Sequence, residues 1–196
     1  MTEKGKIAVI DVDDTLLCGN SLKMLLWCTL RCQIRRGRWK QLSLLGWEIF
    51  KRICRMSSHV DLKRQICVSA VDALTPDDFE ALTAEMLAKV RPSVRRVINH
   101  WIADGGGVII ASAGLRFCLQ DLVERMGLRY LVATDFDPSA GTMGPETRSE
   151  SKLQAARSMA AAEHLGEIGV VVTDHVDDLP LLLLQEGAGV SAPQSV

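Results

Sequence analysis

Three carboxylates lie within four residues near the start of the chain, directly after a short apolar run. Asp11, Asp13 and Asp14 follow the run from Ile7 to Ile10, which is typical of a strand buried on both faces of a parallel sheet. Like charges this close must take up protons, move apart or bind a cation. Asp11 and Asp13 alternate along an extended chain, so we expect them to share a face and converge on one ion. Hard oxygen ligands suit Mg²⁺. An acidic loop that caps the next helix is the alternative.

Three further polar residues stand where predicted strands end or predicted helices begin. Ser112 follows the apolar strand from Val108 to Ala111, Asp174 follows the strand from Ile168 to Thr173, and Lys152 lies in the first turn of a helix. The carboxyl ends of parallel strands meet at one edge of a sheet, where α/β proteins bind ligands. Carboxylates for a metal, with a hydroxyl and an ammonium group for anionic oxygens, are suited to phosphoryl transfer.

Together these segments resemble the four motifs of the haloacid dehalogenase (HAD) superfamily, in the subclass that includes phosphoserine phosphatase. The D-x-D-x-T motif matches DVDDT at residues 11–15, and the apolar strand that ends in Ser or Thr matches VIIAS at 108–112. The third motif is Lys152, and the D-x-x-x-D motif matches DHVDD at 174–178. The resemblance covers nearly the whole chain. It implies an α/β fold with a doubly wound parallel sheet, Rossmann-like and of the HAD type, and an inserted all-helical cap domain.

The resemblance also implies catalytic and metal-binding roles. Asp11 would be the nucleophile that forms an aspartyl-phosphate, and Asp13 would protonate the leaving oxygen and then deprotonate the attacking water. Mg²⁺ would be held by the Asp11 carboxylate, the main-chain carbonyl of Asp13, and Asp174. Asp178 would act nearby on metal-bound water. The implied activity is Mg²⁺-dependent hydrolysis of a phosphate monoester.

Phosphate oxygens, in the same resemblance, would be bound by the Ser112 hydroxyl and the Ala113 N–H, while Lys152 would offset negative charge. One departure concerns Asn20, nine residues after Asp11. Phosphoserine phosphatases commonly have a Glu there that helps to bind the amino group of the substrate. An amide cannot form that ion pair, so we expect a substrate other than phosphoserine.

Residues 19–90, called the insert below, interrupt the alternation of strands and helices and are predicted to form about four helices. We interpret the insert as the cap domain, and residues 1–18 and 91–196 as the α/β core domain. A cap would close over the site, exclude water and contact the leaving group. Candidate contacts are the cationic residues Arg52, Arg55, Lys63 and Arg64.

The first part of the insert is strongly basic and rich in tryptophan. From Gly19 to Val60 there are nine Lys or Arg residues and a single acid, Glu48. Two hypotheses fit this composition. The first is a packed helical core with a solvated basic face; the second is contact with an anionic membrane surface or a phospholipid headgroup. The tryptophans concerned are Trp27, Trp39 and Trp47.

The composition of the whole chain limits its partners. It has 196 residues, of which 47% are hydrophobic, and a formal net charge of -1, so nothing indicates a nucleic-acid partner. Residues 1–6 are polar, and the apolar stretch from Met24 to Leu30 is too short to span a bilayer. We therefore expect a cytoplasmic protein with a small phosphorylated substrate and no transmembrane segment. A phosphotransferase or phosphomutase of the same superfamily, or a non-catalytic binding protein with this fold, are the alternatives.

Overall fold

The computed structural model describes residues 5–174, without the side chain of Ser149. Asp178, a helix predicted from Asp178 to Gln185 and a strand predicted from Ala188 to Val190 lie outside the described residues. The strands are β1 (Lys6–Ile10), β2 (Gly107–Leu115), β3 (Tyr130–Thr134), β4 (Phe136–Asp137), β5 (Thr142–Met143) and β6 (Glu167–Val172). The helices are α1 (Ser21–Arg35), α2 (Trp39–Ile53), α3 (His59–Ala73), α4 (Pro76–Ala88), α5 (Pro92–Ala103), α6 (Arg116–Arg125) and α7 (Ser149–Ala162).

Four of the strands form one parallel sheet in the order β3-β2-β1-β6. The chain runs outwards from β1 through β2 to β3 and then returns to place β6 on the other side of β1. The strand order therefore reverses at β1, and such a reversal is where open α/β sheets bind ligands. Asp11 directly follows β1 and Asp174 closely follows β6, so both lie at this reversal.

The two faces of the sheet are covered by different helices, because side chains alternate along each strand. Ile10 packs in one apolar cluster with Leu119 of α6 and other residues of α5 and α6. Val9 packs in a second cluster with Ala156 of α7. The predicted doubly wound parallel sheet is confirmed.

The insert contains the four helices that were predicted, α1 to α4. Helix α3 begins with a capping pair that its sequence indicates, Ser58 followed three residues later by Asp61. The Asp61 N–H donates to Ser58 Oγ, and the Ser58 N–H donates back to the Asp61 carboxylate, both at 3.1 Å. One apolar cluster runs from Ile10 in the sheet to Ile66 in α3, so the insert packs directly on the sheet. The division into a core domain (1–18 and 91–196) and a cap domain (19–90) stays a prediction. Within residues 5–174, no helix has the length and apolar character needed to cross a membrane.

The two connections that enter and leave the insert run side by side. Leu17 and Val90 form an antiparallel bridge, and the Cys18 N–H donates to the Lys89 carbonyl at 2.8 Å. This pairing brings both ends of the insert to the carboxyl end of β1. The helices of the insert therefore begin beside the acidic residues that follow that strand.

Asp78 is a polar anchor inside the insert. Its carboxylate accepts the Thr75 N–H at 2.9 Å and the Arg35 guanidinium at 2.7 Å, and it also accepts from Arg36. The pKa of Asp78 is held well below its usual range, first by the Thr75 main-chain N–H and then by the Thr75 hydroxyl and Arg36. The anchor joins the start of α4 to the end of α1.

We expect Asp78→Asn to lower the free energy of unfolding by about 2 kcal/mol, because the charge-assisted hydrogen bonds are lost. A depressed pKa in the folded state gives stability that is present above the ordinary Asp pKa of about 4 and lost as the pH falls through the folded-state value. Urea unfolding at neutral and acidic pH should therefore show the difference from wild type shrinking in acid. Asp72→Asn is the control, since that carboxylate pairs with Arg38 at the surface. An equal effect of both substitutions would mean that Asp78 contributes no more to stability than a surface ion pair.

Candidate active site

A wide turn after β1 carries the acidic residues. Residues 12–16 form a wide turn closed by hydrogen bonds between residues five positions apart, in which the Leu16 N–H donates to the Asp11 carbonyl at 3.2 Å and the Leu17 N–H donates to the Val12 carbonyl at 2.8 Å. Asp14 has a φ of 56°, in the left-handed region. The backbone is extended at Asp11 and at Asp13, and both residues line one cavity. That the two residues converge on one ion stays a prediction.

Asp11 is a buried carboxylate paired with a buried ammonium group. It is 8% exposed and Lys152 is 3% exposed, and Lys152 Nζ donates to Asp11 Oδ1 at 2.6 Å. The Asp11 N–H donates to the Val172 carbonyl of β6 at 2.9 Å, which fixes the backbone beside the sheet. A charge this deeply buried requires a compensating charge. The structure thus brings together two residues that are 141 positions apart.

Asp13 is held at the start of the insert. Its Oδ1 accepts the N–H of Ser21, the first residue of α1, at 2.6 Å. The acidic loop was alternatively expected to cap the next helix, and Asp13 does bind the first N–H group of α1 in this way. Burial raises the pKa of Asp13 above its ordinary value, against the lowering effect of the hydrogen bonds from Ser21. A carboxyl group with a raised pKa keeps its proton to higher pH, as a general acid must.

Asp174 is fixed by a residue of the wide turn. The Thr15 hydroxyl donates to Asp174 Oδ1 at 2.8 Å, and the Asp174 N–H donates to Thr15 Oγ1 at 3.0 Å. Thr15 of the D-x-D-x-T motif therefore sets the carboxylate after β6 next to the turn after β1.

The oxygen donors around the wide turn fit Mg²⁺. Within residues 5–174, no three His, Cys, Asp or Glu side chains are gathered closely enough to hold a metal ion. The predicted site does not need three, because it uses the carboxylates of Asp11 and Asp174 and the main-chain carbonyl of Asp13. Hard oxygen donors of this kind, with water in the remaining positions, are what Mg²⁺ prefers. Asp178 is outside the described residues.

Strand β2 extends to Leu115, beyond its predicted end at Ala111, so Ser112 lies within the strand rather than after it. Ala111 pairs with Val132 of β3, and Leu115 pairs with Thr134. Four positions on β2 thus span two positions on β3, which makes a bulge at residues 112–114. A bulge bends a strand and redirects its side chains, and here it lies at the edge of the sheet that carries the carboxylates.

Two of the predicted phosphate-binding residues, Ser112 and Ala113, lie in this bulge. Ser112 is buried, and its Oγ accepts the Gly114 N–H at 2.8 Å. Ala113 and Gly114 line the cavity together with Lys152, whereas Ser112 is not part of the lining. The Ala113 carbonyl accepts the Thr134 hydroxyl at 3.0 Å, which holds the bulge in place.

The insert reaches the bulge through Lys63 of α3. This residue is buried, and its Nζ donates to the Ala113 carbonyl at 2.6 Å and to Glu146 Oε1 at 3.1 Å. Glu146 also lies 3.8 Å from His59 Nδ1 and 3.9 Å from an Arg148 nitrogen. Lys63 was one of several candidate contacts, whereas Glu146 was missed. Nothing in the polar loop around Glu146 indicates a partner that is 83 positions away.

Lys63→Met is expected to lower the free energy of unfolding by about 2 kcal/mol, because both bonds from the buried ammonium group are lost. Arg64→Met on the same helix is the control. Arg64 Nε donates to the Gly141 carbonyl at 2.7 Å from an exposed position, so we expect a change within about 0.5 kcal/mol. Urea unfolding measures both variants. Equal losses would mean that Lys63 has no special part in joining the insert to the core.

The cavity between the core and the insert has a volume of about 370 Å³, which suits a small ligand. The core contributes charged residues, including Asp11, Asp13 and Lys152. Asn20 also lines the cavity. Helices α1 and α3 contribute apolar side chains, namely Leu22, Leu26, Leu62 and Ile66. A charged group and an adjoining apolar portion of one small molecule would both find matching surfaces here.

Known proteins resemble this chain in sequence profile and in fold. A family profile described as haloacid dehalogenase-like hydrolase matches residues 8–183, whereas no curated protein matches the chain. A protein of unknown function from Bordetella pertussis Tohama I is 18% identical, with a TM-score of 0.69 over 93% of this chain and 87% of that one. A HAD family hydrolase from Salmonella enterica serovar Typhi is 16% identical, with a TM-score of 0.63 over 92% and 60%. A substrate-bound phosphoserine phosphatase is 15% identical, with a TM-score of 0.58 over 93% and 83%. At these identities the likeness to the solved structures concerns the fold.

Proposed function

Because the chain belongs to the haloacid dehalogenase-like hydrolase family, we propose that it is a Mg²⁺-dependent phosphatase acting on a small phosphate monoester through an aspartyl-phosphate intermediate. The observation that carries the proposal is the buried pair of Asp11 and Lys152 where the strand order reverses. Asp13, with its raised pKa, lines the same cavity. Asp11 would be the nucleophile, Lys152 its positive counter-charge and Asp13 the acid, and all three line one cavity.

In the first step, an Asp11 carboxylate oxygen attacks phosphorus, and the bond from phosphorus to the alcohol oxygen breaks. Asp13 donates its proton to that leaving oxygen, so the alcohol departs uncharged. In the second step, Asp13 takes a proton from water as the water oxygen attacks phosphorus. The bond between phosphorus and Asp11 breaks, which releases inorganic phosphate and restores the carboxylate.

The remaining residues would hold the phosphoryl group and the metal. The Ser112 hydroxyl and the Ala113 N–H would donate to phosphate oxygens, and Lys152 would offset the charge that accumulates between Asp11 and the phosphate. Asp11, Asp174 and the Asp13 carbonyl would hold Mg²⁺, with Asp178 close by. When bound, the ion would supply positive charge that draws the nucleophile and the phosphate oxygens together.

The cavity supports a substrate other than phosphoserine. Asn20 lies in the lining, and its neutral amide cannot pair with an amino group as a carboxylate would. The apolar side chains from α1 and α3, such as Leu26 and Leu62, would face the alcohol part of the ester. We therefore favour an alcohol with a partly apolar body over phosphoserine.

The test is phosphate release from a panel of phosphomonoesters, with Mg²⁺ and with EDTA. The panel includes phosphoserine, sugar phosphates and esters of apolar alcohols. We expect turnover that disappears in EDTA and returns with added Mg²⁺, and weaker turnover of phosphoserine than of the best ester. Transfer of the phosphoryl group to a sugar hydroxyl would indicate a phosphotransferase. Release from no ester, with the protein folded and Mg²⁺ bound, would refute the proposal and favour a binding role.

A further inference from the structure

Helix α2 has an apolar face that points away from the protein. Trp39, Trp47, Phe50 and Ile53 are 64%, 54%, 49% and 74% exposed. On a helix of 3.6 residues per turn, these four positions fall on one side. The rings of Trp47 and Phe50 stack with their centroids 5.6 Å apart. These four side chains are called the stripe below: Trp39 lies at the start of α2, Trp47, Phe50 and Ile53 lie on its last two turns, and Ser43 and Gly46 lie between them. An isolated folded chain seldom leaves such a group of aromatic and apolar side chains in water.

The stripe is not the face by which α2 packs on the rest of the insert. Leu45 is the buried residue of this helix, and Leu42 and Ile49, which lie on its side, are half-buried. Helix α2 therefore has two apolar faces, one packed and one exposed. The hypothesis of a packed helical core with a solvated basic face accounts for the first face and not for the tryptophans of the second.

Cationic side chains lie beside the stripe. In the described part of the chain, Lys40 and Arg55 have no carboxylate within ion-pair distance, whereas Lys51 pairs with Glu48 at 2.6 Å. Glu48 is the only acidic residue between positions 19 and 60. The surface therefore combines exposed aromatic rings with positive charge that carboxylates of the described residues do not neutralise.

We propose that this α2 surface, made of Trp39, Trp47, Phe50 and Ile53 with Lys40 and Arg55, docks on an anionic lipid bilayer. A helix with an apolar aromatic face flanked by Lys and Arg lies in the membrane interface, with its rings at headgroup level. The cations add attraction to acidic headgroups.

A second copy of the chain is a poorer occupant of the α2 surface. A two-fold contact places the same patch of both copies face to face, which would bring together two surfaces that carry the same positive charge. The surface is also separate from the proposed phosphatase site, because the helices of the insert that line the cavity are α1 and α3, and no residue of α2 lines it.

The test is sedimentation of the whole protein with vesicles of phosphatidylglycerol and phosphatidylcholine in equal parts, and with vesicles of phosphatidylcholine alone. We expect binding to the anionic vesicles at low salt, which weakens as salt is added, and little binding to the neutral ones. Trp47→Ser/Ile53→Ser and, separately, Lys40→Glu/Arg55→Glu should each weaken binding by about tenfold or more.

Matched controls lie on α5, which also has exposed apolar and basic residues. Val97→Ser/Ile102→Ser removes side chains that are 42% and 46% exposed, and Arg95→Glu/Arg96→Glu reverses two exposed charges. Both controls should bind vesicles as the wild type does. Equal losses in the α2 and α5 variants would overturn the proposal, because binding would then depend on general surface character.

Three other outcomes would overturn the proposal. One is no binding of the wild type at low salt, and another is equal binding to neutral and anionic vesicles. The third is a dimer by light scattering that Trp47→Ser/Ile53→Ser converts to a monomer, which would assign the surface to a second copy. Asp13→Asn, which should lose turnover of alkyl phosphates without disturbing the turn, should bind vesicles like the wild type, so docking is measured independently of whether the chain is a phosphatase.

Discussion

Asp11→Asn is expected to lower phosphate release by about 10,000-fold or more, because an amide cannot attack phosphorus and no aspartyl-phosphate can form. The buried carboxylate that pairs with Lys152 at 2.6 Å has almost the same shape as the amide that replaces it. The loss should therefore be chemical rather than a failure of substrate to enter. Release of phosphate from the best ester of the panel, with saturating Mg²⁺, is the measurement.

The same substitution should also weaken the fold, and this needs its own control. Removing the charge opposite a buried ammonium group costs about 3 kcal/mol or more of unfolding free energy. In Asp11→Asn/Lys152→Met the cation is removed as well, so stability should largely return while activity stays absent. Circular dichroism and urea unfolding of the three proteins separate the two effects. Phosphate release by Asp11→Asn within tenfold of the wild type would refute the assignment of the nucleophile.

Local signals were sufficient to predict most of the elements. The strand before Asp11 follows from an uninterrupted apolar run, and α3 follows from Ser58 and Asp61, whose reciprocal capping bonds depend on residues three positions apart. The start of α4 follows in the same way from Pro76. These contacts are made within one turn of chain, so the sequence contains all the information that decides them.

The contacts that the sequence could not predict are made between distant segments. The bulge in β2 depends on the pairing of Leu115 with Thr134, and the wide turn depends on bonds five residues apart that an extended pattern does not indicate. Lys63 meets Glu146 only after the insert folds back on the core. The pairing of Lys152 with Asp11 was anticipated through the resemblance of their motifs, not through any property of the two segments themselves.

Helix α2 illustrates a different limit. Its periodicity predicts an amphipathic helix, yet it contains two apolar faces, and periodicity alone does not decide which of them packs. Leu45 faces the insert, while Trp39 and Trp47 face away. The tertiary structure therefore separates residues that belong to the core from residues that are available to a partner.

Asp13→Asn is expected to lower turnover of an alkyl phosphate by about 1,000-fold. The amide can neither protonate the leaving oxygen nor deprotonate the attacking water. An aryl ester such as p-nitrophenyl phosphate leaves without a proton, so its first step should continue. We therefore expect a burst of about one nitrophenolate per enzyme, followed by slow turnover, since the aspartyl-phosphate accumulates. Stopped-flow absorbance measures the burst.

Asp14→Asn is the matched control. This neighbouring carboxylate lines the same cavity, and its φ of 56° lies in a region that Asn tolerates well. Asn at position 13 likewise keeps an oxygen to accept the Ser21 N–H, so neither substitution should disturb the turn. We expect Asp14→Asn to stay within about threefold of the wild type, as a substitution outside the chemistry. Similar losses in both variants would mean that Asp13 acts only as one of several negative charges.

The pH dependence gives a second way to identify Asp13. Burial raises its pKa, and the acid role requires the protonated form. For alkyl phosphates, kcat/KM should therefore fall as the pH rises through the pKa of Asp13, at a higher pH than an ordinary Asp would give. This fall of kcat/KM with rising pH should be absent in Asp13→Asn and unchanged in Asp14→Asn. A fall that persists in Asp13→Asn would belong to another group, and the general acid would have to be sought among the other residues that line the cavity.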